Sequence, residues 1–385
     1  MTNIPKTFCP AKWDELIINL SQNYVYSCCK ATPIKIVNKK DATTALDIQK
    51  ENLLNGIQDP SCEYCWTMEK ENAYSRRHRY LEYNSDALKT TINFDDYQHN
   101  PLPKKIEISL GNECNFQCNY CNPKFSSQWE TDIKNKPYKL FSDRFFYAID
   151  DKNKSGEAVN ESILFLQSYN HTKRLCINGG EPLENKHLYK VLDSVKVEEL
   201  EILTNLSPKS TSSIDKLLSL HTKYKKIFIS ISIDSTDKNA EFTRYGMNYD
   251  KLIKNIKYVL DNASDNIKIT FASNMTSITV RDFKKTSQLI CGFLDQRPGS
   301  LWTCNICVDP KIFSLNTLPN KWKLDIVKEI EKISLRDDVI GLESLKKRII
   351  NSEFNNTLYQ QLKHFMNEFA ERKGIEVPVN FEEDQ

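Results

Sequence analysis

The sequence predicts an α/β fold in its central part, between a cysteine-rich N-terminal region and a helical C-terminal region. From residue 101 to 310, short β-branched runs alternate with longer helical patterns, which is typical of parallel strands joined by helices. Residues 1–100 hold five of the twelve cysteines and few long apolar periods. Residues 311–385 show helical periodicity and end in an acidic tail. We therefore expect three domains: an N-terminal cysteine module (1–100), a partial (β/α)6 barrel of the TIM type (101–310) and a helical C-terminal segment (311–385).

The barrel prediction depends on six candidate strands, at 106–110, 174–178, 201–205, 227–233, 267–272 and 301–308. Amphipathic helical patterns lie between them, for example at 250–260 and 281–294, and the C-terminal helices are predicted at 322–333 and 355–372. Strand–helix units of this spacing favour right-handed crossovers and a buried sheet. Six units fit a partial barrel better than a complete barrel of eight.

Composition and charge exclude several classes of partner. The 385 residues contain 53 Lys plus Arg and 51 Asp plus Glu, so the net charge of +2 gives no bulk attraction to nucleic acid or to an anionic membrane. No apolar run approaches the ~18 residues of a membrane-spanning helix, and residues 1–20 lack the blocks of a signal peptide. We expect a cytoplasmic protein. Thiols stay reduced there, so twelve cysteines predict metal binding rather than disulfides.

One cysteine motif carries the main chemical prediction. Cys114, Cys118 and Cys121 follow the first predicted barrel strand in the spacing CxxxCxxC. Three thiolates on one short loop can bind three irons of a cubane cluster and leave the fourth iron open to a small molecule. The alternative is a structural zinc site with a distant fourth ligand, although zinc sites favour paired CxxC arms.

A second motif follows the second predicted strand, one α/β unit later. It reads Asn178-Gly179-Gly180-Glu181-Pro182. Two glycines allow the backbone to approach a ligand without a Cβ clash. The carboxylate of Glu181 can pair with an ammonium group, and Pro182 suits the first turn of a helix.

The two motifs together resemble those of the radical S-adenosylmethionine (SAM) superfamily, including the aromatic Tyr120 just before the last cysteine of the loop. The glycine-rich motif is similar to that family's GGEP element. The resemblance implies that Ser232 and Asp234 reach the SAM ribose and that Arg244 meets the SAM carboxylate, with Asn205 and Asn274 as weaker candidates. All of these residues lie at the carboxyl ends of predicted strands or just beyond them, which is the face where barrel enzymes build their sites.

The resemblance implies a reaction type. SAM would chelate the open iron of a [4Fe-4S] cluster, and one electron, from a donor such as flavodoxin or ferredoxin, would cleave SAM to a 5′-deoxyadenosyl radical that abstracts hydrogen from a substrate. The expected substrate is a peptide or protein, with Trp13, Trp66, Trp129 and the stretch 74–80 as aromatic candidates along its path. The alternatives are a sugar, a nucleotide-sugar or another small metabolite, and a non-enzymatic metal-binding scaffold.

A second set of cysteines precedes the barrel: Cys9, Cys28, Cys29, Cys62 and Cys65. It is similar to the auxiliary-cluster modules called twitch and SPASM, and its CPxxW…CC…CxxCW pattern resembles one subset of twitch-domain radical SAM proteins. We expect an auxiliary [4Fe-4S] cluster on Cys9, one of Cys28 and Cys29, Cys62 and Cys65; zinc is the alternative. A third CxxC pair, Cys304 and Cys307, falls inside the sixth predicted strand, where residues three apart face opposite sides, so we expect core cysteines and no shared metal there. The alternative is that one of the two points into the barrel as a hydrogen-atom donor.

Overall fold

The computed structural model of the chain describes residues 5–71, 75–78, 80–81, 102–139 and 156–378. The predicted acidic tail lies outside these residues. No helix in the described ranges combines the length and the apolar character that crossing a membrane requires.

The described part of the chain contains strands in both terminal regions as well as in the predicted barrel. In chain order they are β1 (Glu15–Asn19), β2 (Tyr24–Tyr26), β3 (Ile34–Lys35), β4 (Lys105–Ser109), β5 (Gln117–Cys118), β6 (Arg174–Asn178), β7 (Glu199–Thr204), β8 (Lys226–Ser232), β9 (Arg244–Tyr245), β10 (Ile267–Met275), β11 (Leu301–Ile306) and β12 (Val339–Ile340).

The helices alternate with the strands in the central part of the chain and follow one another near its end. In chain order they are α1 (Ala11–Asp14), α2 (Lys39–Leu54), α3 (Glu63–Lys70), α4 (Ser127–Asn135), α5 (Gly156–Leu166), α6 (Leu188–Ser194), α7 (Ser212–Ser219), α8 (Asp237–Thr243), α9 (Tyr249–Asn262), α10 (Phe283–Gln296), α11 (Asn320–Lys332), α12 (Leu342–Asn351) and α13 (Asn356–Lys373).

The described residues form two compact units. The first unit comprises Met1–Gly111, Asp150–Gly179 and Lys186–Glu201, as far as these are described. In it, β1 pairs in parallel with β4 and β4 pairs in parallel with β6, while β2 and β3 extend the β1 side as antiparallel strands. Branched side chains at alternate positions, such as Ile106 and Ile108, are fully buried. The cysteine-rich region therefore contributes strand β1 directly to a parallel sheet.

The second unit comprises Asn112–Ile149, Gly180–Asn185 and Ile202–Gln385, again as far as these are described. Strands β8, β10, β11 and β12 pair in parallel in that order. The short strands β5 and β9 form a separate antiparallel pair. An aromatic core packs α4 against α13; its members include Trp129, Phe365 and Phe369.

The prediction of an α/β fold with mostly parallel strands is confirmed. The sixth strand is shorter than predicted: β11 ends at Ile306, so Cys307 lies beyond it. The sequence patterns also missed β1 and the two-residue strand β12. Each of the two units combines segments that are distant in sequence, and the division into three domains at residues 100 and 310 stays a prediction.

Candidate functional site

The CxxxCxxC loop is fixed by short-range hydrogen bonds within the second unit. Cys118 lies in β5, where it pairs with Arg244 of β9. The indole Nε1 of Trp129 donates to the carbonyl oxygen of Cys118 at 2.8 Å. Ser126, the N-cap of α4, donates its hydroxyl to the carbonyl oxygen of Phe116 at 2.7 Å. Through these two hydrogen bonds, helix α4 holds the backbone of the cysteine loop in place.

The three thiols of this loop lie close enough to influence one another. The pKa of Cys114 is raised to about 12, first by burial and then by the neighbouring Cys118. Burial likewise raises the pKa of Cys118 to about 11, against an opposing effect of the Arg244 guanidinium. The pKa of Cys121 is also raised, first by burial and then by Cys118. Without a metal these thiols are protonated at neutral pH, and a positive iron would favour their thiolate forms.

No three His, Cys, Asp or Glu side chains of the described residues converge tightly enough to hold a single metal ion. In a cubane cluster each cysteine sulfur binds a different iron, so the three thiolates of the loop do not need to converge on a single ion.

Gly180 allows the GGEP segment to lie directly against the cysteine loop. Its φ is +58°, and a Cβ atom at this position would lie closer than 3.0 Å to the carbonyl oxygen of Glu113. That same oxygen accepts the backbone N–H of Glu181 at 2.8 Å. In the first unit, Gly179 has a φ of +84° and approaches the backbone of Gly111 in the same way. Both glycines are therefore required by close backbone approach as well as by φ.

The carboxylate of Glu181 is buried and oriented by three donors. Its side chain is 1% exposed. It accepts hydrogen bonds from the Thr204 hydroxyl at 2.6 Å, from the Asn205 backbone N–H at 2.6 Å and from the Leu183 backbone N–H at 3.1 Å. Burial nevertheless raises the pKa of Glu181 to about 7. A desolvated carboxylate of this kind is stabilised by a cationic ligand.

The GGEP segment differs from its prediction at one residue. Pro182 begins a 3-10 turn, Pro182–Glu184, that Glu181 caps, and α6 begins only at Leu188. The proline therefore starts a tight turn and not the first turn of an α-helix.

Four other predicted site residues form one hydrogen-bonded network. The carboxylate of Asp234, 1% exposed, accepts from Arg244 Nε at 2.8 Å and from the Tyr120 hydroxyl at 2.5 Å through one oxygen. Its other oxygen accepts the backbone N–H of Asn274 at 2.8 Å. Ser232 ends β8, two residues before Asp234, and is half-buried. The network fixes the Arg244 guanidinium close to the cysteine loop, whose Cys118 pairs with Arg244 in the short sheet.

Asn205 joins Glu181 to the cysteine loop by a different route. Its backbone N–H donates to Glu181, and its Nδ2 donates to Asn115 Oδ1 at 2.7 Å. Asn115 in turn donates to the carbonyl oxygen of Ser207 at 2.7 Å. Sequence reasoning missed Asn115, although its position directly after Cys114 in the motif was a signal that could have found it.

The C-terminal helix α13 also contributes to the site, which the sequence did not indicate. Tyr120, Cys121 and Tyr245 pack against the aromatic core that includes α13 side chains. Lys373 pairs with Asp132 at 3.3 Å, and Asp132 accepts from Gln117 Nε2 of β5 at 2.7 Å. The end of α13 is thereby linked to the strand that carries Cys118.

Four of the five N-terminal cysteines surround one cavity in the first unit: Cys9, Cys28, Cys62 and Cys65. The pKa of Cys9 is raised to about 12, mainly by burial and to a smaller extent by the three other thiols of the cavity. Cys29 is exposed and does not line the cavity. A hydrogen bond with the Cys29 thiol is the main cause that lowers the pKa of Cys28 to about 6.

The three tryptophans proposed for a substrate path are core residues, and Tyr74 of the stretch 74–80 lies outside the described residues. Trp129 is fully buried beside α13, and Trp13 and Trp66 pack with Cys9 and Cys28 in a hydrophobic cluster of the first unit. Their burial corrects the prediction that they line a path. Cys304 is buried, whereas Cys307 is partly exposed after the end of β11.

Comparison with known proteins agrees with this site. Residues 108–290 match the family described as the Radical SAM superfamily. This range contains the cysteine loop, the GGEP segment and the network around Asp234. The matched range, slightly less than half of the chain, thus carries the site of a radical SAM enzyme.

The curated relatives are similar over part of the chain. A GTP 3′,8-cyclase of Staphylococcus carnosus is 28% identical over 106 residues, which is 26% of this chain and 27% of the relative. A GTP 3′,8-cyclase of Staphylococcus epidermidis is 24% identical over 163 residues, which is 41% of this chain and 42% of the relative. The chain thus spans less than half the length of these relatives.

Two solved structures illustrate the structural matches. One, of anSMEcpe with bound AdoMet, has a TM-score of 0.41 and 16% identity and covers 61% of this chain and 62% of its own. The other, of Streptococcus suis SuiB bound to S-adenosylmethionine, has a TM-score of 0.40 and 15% identity and covers 88% and 72%.

Proposed function

We propose that this protein uses a [4Fe-4S] cluster on Cys114, Cys118 and Cys121 to cleave SAM reductively, giving a 5′-deoxyadenosyl radical that abstracts hydrogen from a substrate. The observation that carries the proposal is the short loop that holds Cys114, Cys118 and Cys121, inside the segment that matches the superfamily. The buried carboxylate of Glu181 beside that loop supports it, because a desolvated carboxylate favours a cation such as the SAM ammonium.

Each further site residue receives a role that its contacts support. Arg244 would bind the SAM carboxylate, because its Nε is held by Asp234 and its guanidinium lies in the field of the cluster thiols. Asp234 would then be a positioning residue for Arg244, since its oxygens already accept three hydrogen bonds. Ser232, half-buried at the end of β8, is the remaining candidate for the SAM ribose.

Electron paramagnetic resonance (EPR) tests the proposal directly. Adding SAM to the anaerobically reduced protein is expected to change the EPR spectrum of the cluster, because SAM would bind its open iron. The change should persist in Cys28→Ser, which is expected to lack the auxiliary cluster. Spectra that are identical with and without SAM would show that no iron is open to SAM and would favour a metal-binding scaffold.

The pKa of Glu181 predicts a pH dependence of SAM binding. Because its pKa of about 7 exceeds the ordinary 4.5, the folded protein binds a proton that the unfolded chain has lost between these values. The contribution of this group to stability is therefore present below about pH 4.5 and is lost as the pH rises through about 7. A bound ammonium stabilises the ionised carboxylate, so SAM affinity should increase as the pH rises through about 7.

Equilibrium dialysis with labelled SAM from about pH 6 to about pH 8 measures this dependence. Glu181→Gln is the matched control, because it keeps the shape of the side chain without the titration. The variant should bind SAM more weakly, and the part of the pH dependence that depends on Glu181 should disappear. The same pH profile in both proteins would show that Glu181 does not bind the SAM ammonium.

We further propose an auxiliary [4Fe-4S] cluster on Cys9, Cys28, Cys62 and Cys65. The shared cavity and the mutual effect of the four thiols support this ligand set. Zinc bound by the four thiolates stays the alternative, and it would require the thiols to move together, because among the described residues no three of them converge on a single ion. As part of the same proposal, we regard this N-terminal region as an auxiliary-cluster module of the twitch type.

The vicinal pair Cys28 and Cys29 gives a test with a built-in control. Cys28→Ser should lower the iron content by about four per chain, because it removes a ligand that lines the cavity. Cys29→Ser should keep the iron, because that side chain is exposed. Iron and sulfide analysis after anaerobic purification gives the answer, and iron loss in the Cys29 variant alone would reverse the assignment.

For the substrate, a peptide or protein segment stays the first candidate and a sugar-type or other small metabolite the alternative. The burial of the three tryptophans removes one argument for the peptide. The similarity to GTP 3′,8-cyclases over 163 residues favours a nucleotide as a second candidate. Adding GTP to the SAM-cleavage assay separates these candidates: stimulation of 5′-deoxyadenosine formation would favour the nucleotide, and an unchanged rate would contradict it.

We also propose that the protein works in the cytoplasm with an electron donor such as flavodoxin or ferredoxin. All twelve cysteines are free thiols, which supports a reducing compartment. The nearly balanced charge supports the absence of nucleic-acid and membrane partners.

A further inference from the structure

Lys12 is a buried lysine in the wall of the auxiliary-site cavity. It lies in α1, lines the cavity together with Cys9, Cys28, Cys62 and Cys65, and is 2% exposed. Its ammonium donates to three neutral acceptors: Ser27 Oγ at 2.6 Å, Gln49 Oε1 at 2.9 Å and Ser61 Oγ at 2.9 Å.

The other cations of the cavity differ from Lys12 in charge pairing or exposure. Arg76 pairs with Glu15 at 3.2 Å, and Arg77 pairs with Glu69 at 2.5 Å. Lys30 is exposed to solvent. Among the described residues no carboxylate lies within 4.0 Å of the Lys12 ammonium; the Asp59 carboxylate reaches it only through the Ser61 hydroxyl.

A buried ammonium with only neutral partners is unfavourable, because its charge has lost the solvation of water. The cysteine thiols of the cavity can supply the missing charge when a metal group converts them to thiolates. Lys12 and the four cysteines line the same cavity, so thiolates formed there would lie beside its ammonium.

We infer that Lys12 is the counter-cation of the metal group held by Cys9, Cys28, Cys62 and Cys65, and that it raises the reduction potential of an iron–sulfur cluster bound there. The inference rests on the auxiliary cluster of the proposed function and adds a residue that sets its redox behaviour.

The direction of the effect follows from the charge balance. Reduction adds one electron to the cluster and so makes the group more negative, without forming or breaking a bond to Lys12. A fixed positive charge beside a cluster sulfur stabilises the reduced form more than the oxidised form. Removing the charge should therefore make reduction harder.

A redox titration of the auxiliary cluster tests this. The full-length chain with Cys114, Cys118 and Cys121 all changed to alanine should retain only the auxiliary cluster, which is titrated with dithionite and followed by EPR. In this background Lys12→Gln should shift the midpoint to a more negative potential. At the original midpoint, the ratio of oxidised to reduced cluster should rise about tenfold, which is 59 mV for a one-electron couple.

Two variants serve as controls. Lys12→Arg keeps the positive charge and should keep most of the potential. Lys30→Gln removes an exposed charge from the same cavity and should shift the potential less than Lys12→Gln, because water screens it. An unchanged potential in Lys12→Gln, or equal shifts in Lys12→Gln and Lys12→Arg, or in Lys12→Gln and Lys30→Gln, would overturn the inference.

Metal analysis distinguishes a failure of the role inferred for Lys12 from a failure of the proposed auxiliary cluster. If Lys12→Gln loses its iron and Lys12→Arg keeps it, the charge is needed to hold the anionic group, which supports the inference; iron loss in both variants would indicate a steric role and overturn it. If the background chain contains zinc or no metal, the proposed auxiliary cluster itself is wrong and the inference falls with it.

Discussion

Replacing Cys118 by alanine is expected to abolish SAM cleavage and to lower the iron content by about four atoms per chain. The thiol stands at the centre of the loop, in the strand pair that also carries Arg244, and both neighbouring cysteines respond to its charge. Two thiolates would remain for a cluster that needs three. 5′-Deoxyadenosine is measured after anaerobic reduction with dithionite, beside iron analysis of the same sample.

The matched control is Cys291→Ala. Cys291 lies in α10 of the same unit, is partly buried and belongs to neither cysteine set. This variant should keep its iron and its SAM cleavage. Undiminished cleavage in Cys118→Ala would rule out the ligand set, and equal loss in both variants would point to general instability.

Gly180→Ala should have the second-largest effect. Its φ of +58° is strained for alanine, and the new Cβ would lie closer than 3.0 Å to the Glu113 carbonyl oxygen. This oxygen accepts the Glu181 backbone N–H, so relief of the clash would displace Glu181. A shift of about 1 Å in a positioned group can reduce a rate by roughly 100-fold, and we expect a loss of SAM cleavage of that order.

Gly374→Ala separates the clash from the backbone strain. Gly374 ends α13 with a φ of +63°, and a Cβ there would have nothing within 4 Å. It should destabilise the protein by about 1 kcal/mol and leave SAM cleavage nearly unchanged. Thermal unfolding and cleavage rates of both variants are compared. Equal rates in the two variants would show that the approach of Gly180 to Glu113 has no functional role.

The residues proposed for the SAM site could be selected from the sequence because they belong to short motifs at strand ends. Glu181 follows β6, Asn205 follows β7 and Asp234 follows β8, and strands of this kind have a recognisable β-branched pattern. The required glycines were also visible, since only a few residue types adopt a positive φ without strain. What the motifs could not show is that Asp234 binds Arg244, because this contact depends on side-chain directions.

The N-terminal region was less predictable because its order arises from non-local contacts. Strand β1 pairs with β4, about ninety residues later in the chain, and nothing local in the cysteine-rich segment indicates that pairing. The choice between Cys28 and Cys29 depends on which side chain faces the cavity, which adjacent residues in a sequence do not reveal. No sequence pattern distinguishes Lys12 from a surface lysine, and only its burial in the structure marks it.

The C-terminal helices were predicted from their periodicity, but the partner of α13 was not. Phe365 and Phe369 have the spacing of a buried helical face, which fits many cores equally well. Their packing with Trp129, whose indole donates to Cys118, links this helix to the cysteine loop. Such a link joins segments more than 200 residues apart, so no local pattern predicts it.

The most direct test of the whole account is a single anaerobic preparation of the full chain, analysed for iron, sulfide and zinc and then treated with SAM and dithionite. The account predicts about eight irons with matching sulfide, little zinc and the formation of 5′-deoxyadenosine. About four irons with one zinc would keep the SAM site and replace the auxiliary cluster by a structural metal. Zinc alone, with SAM left intact after iron reconstitution, would contradict the account.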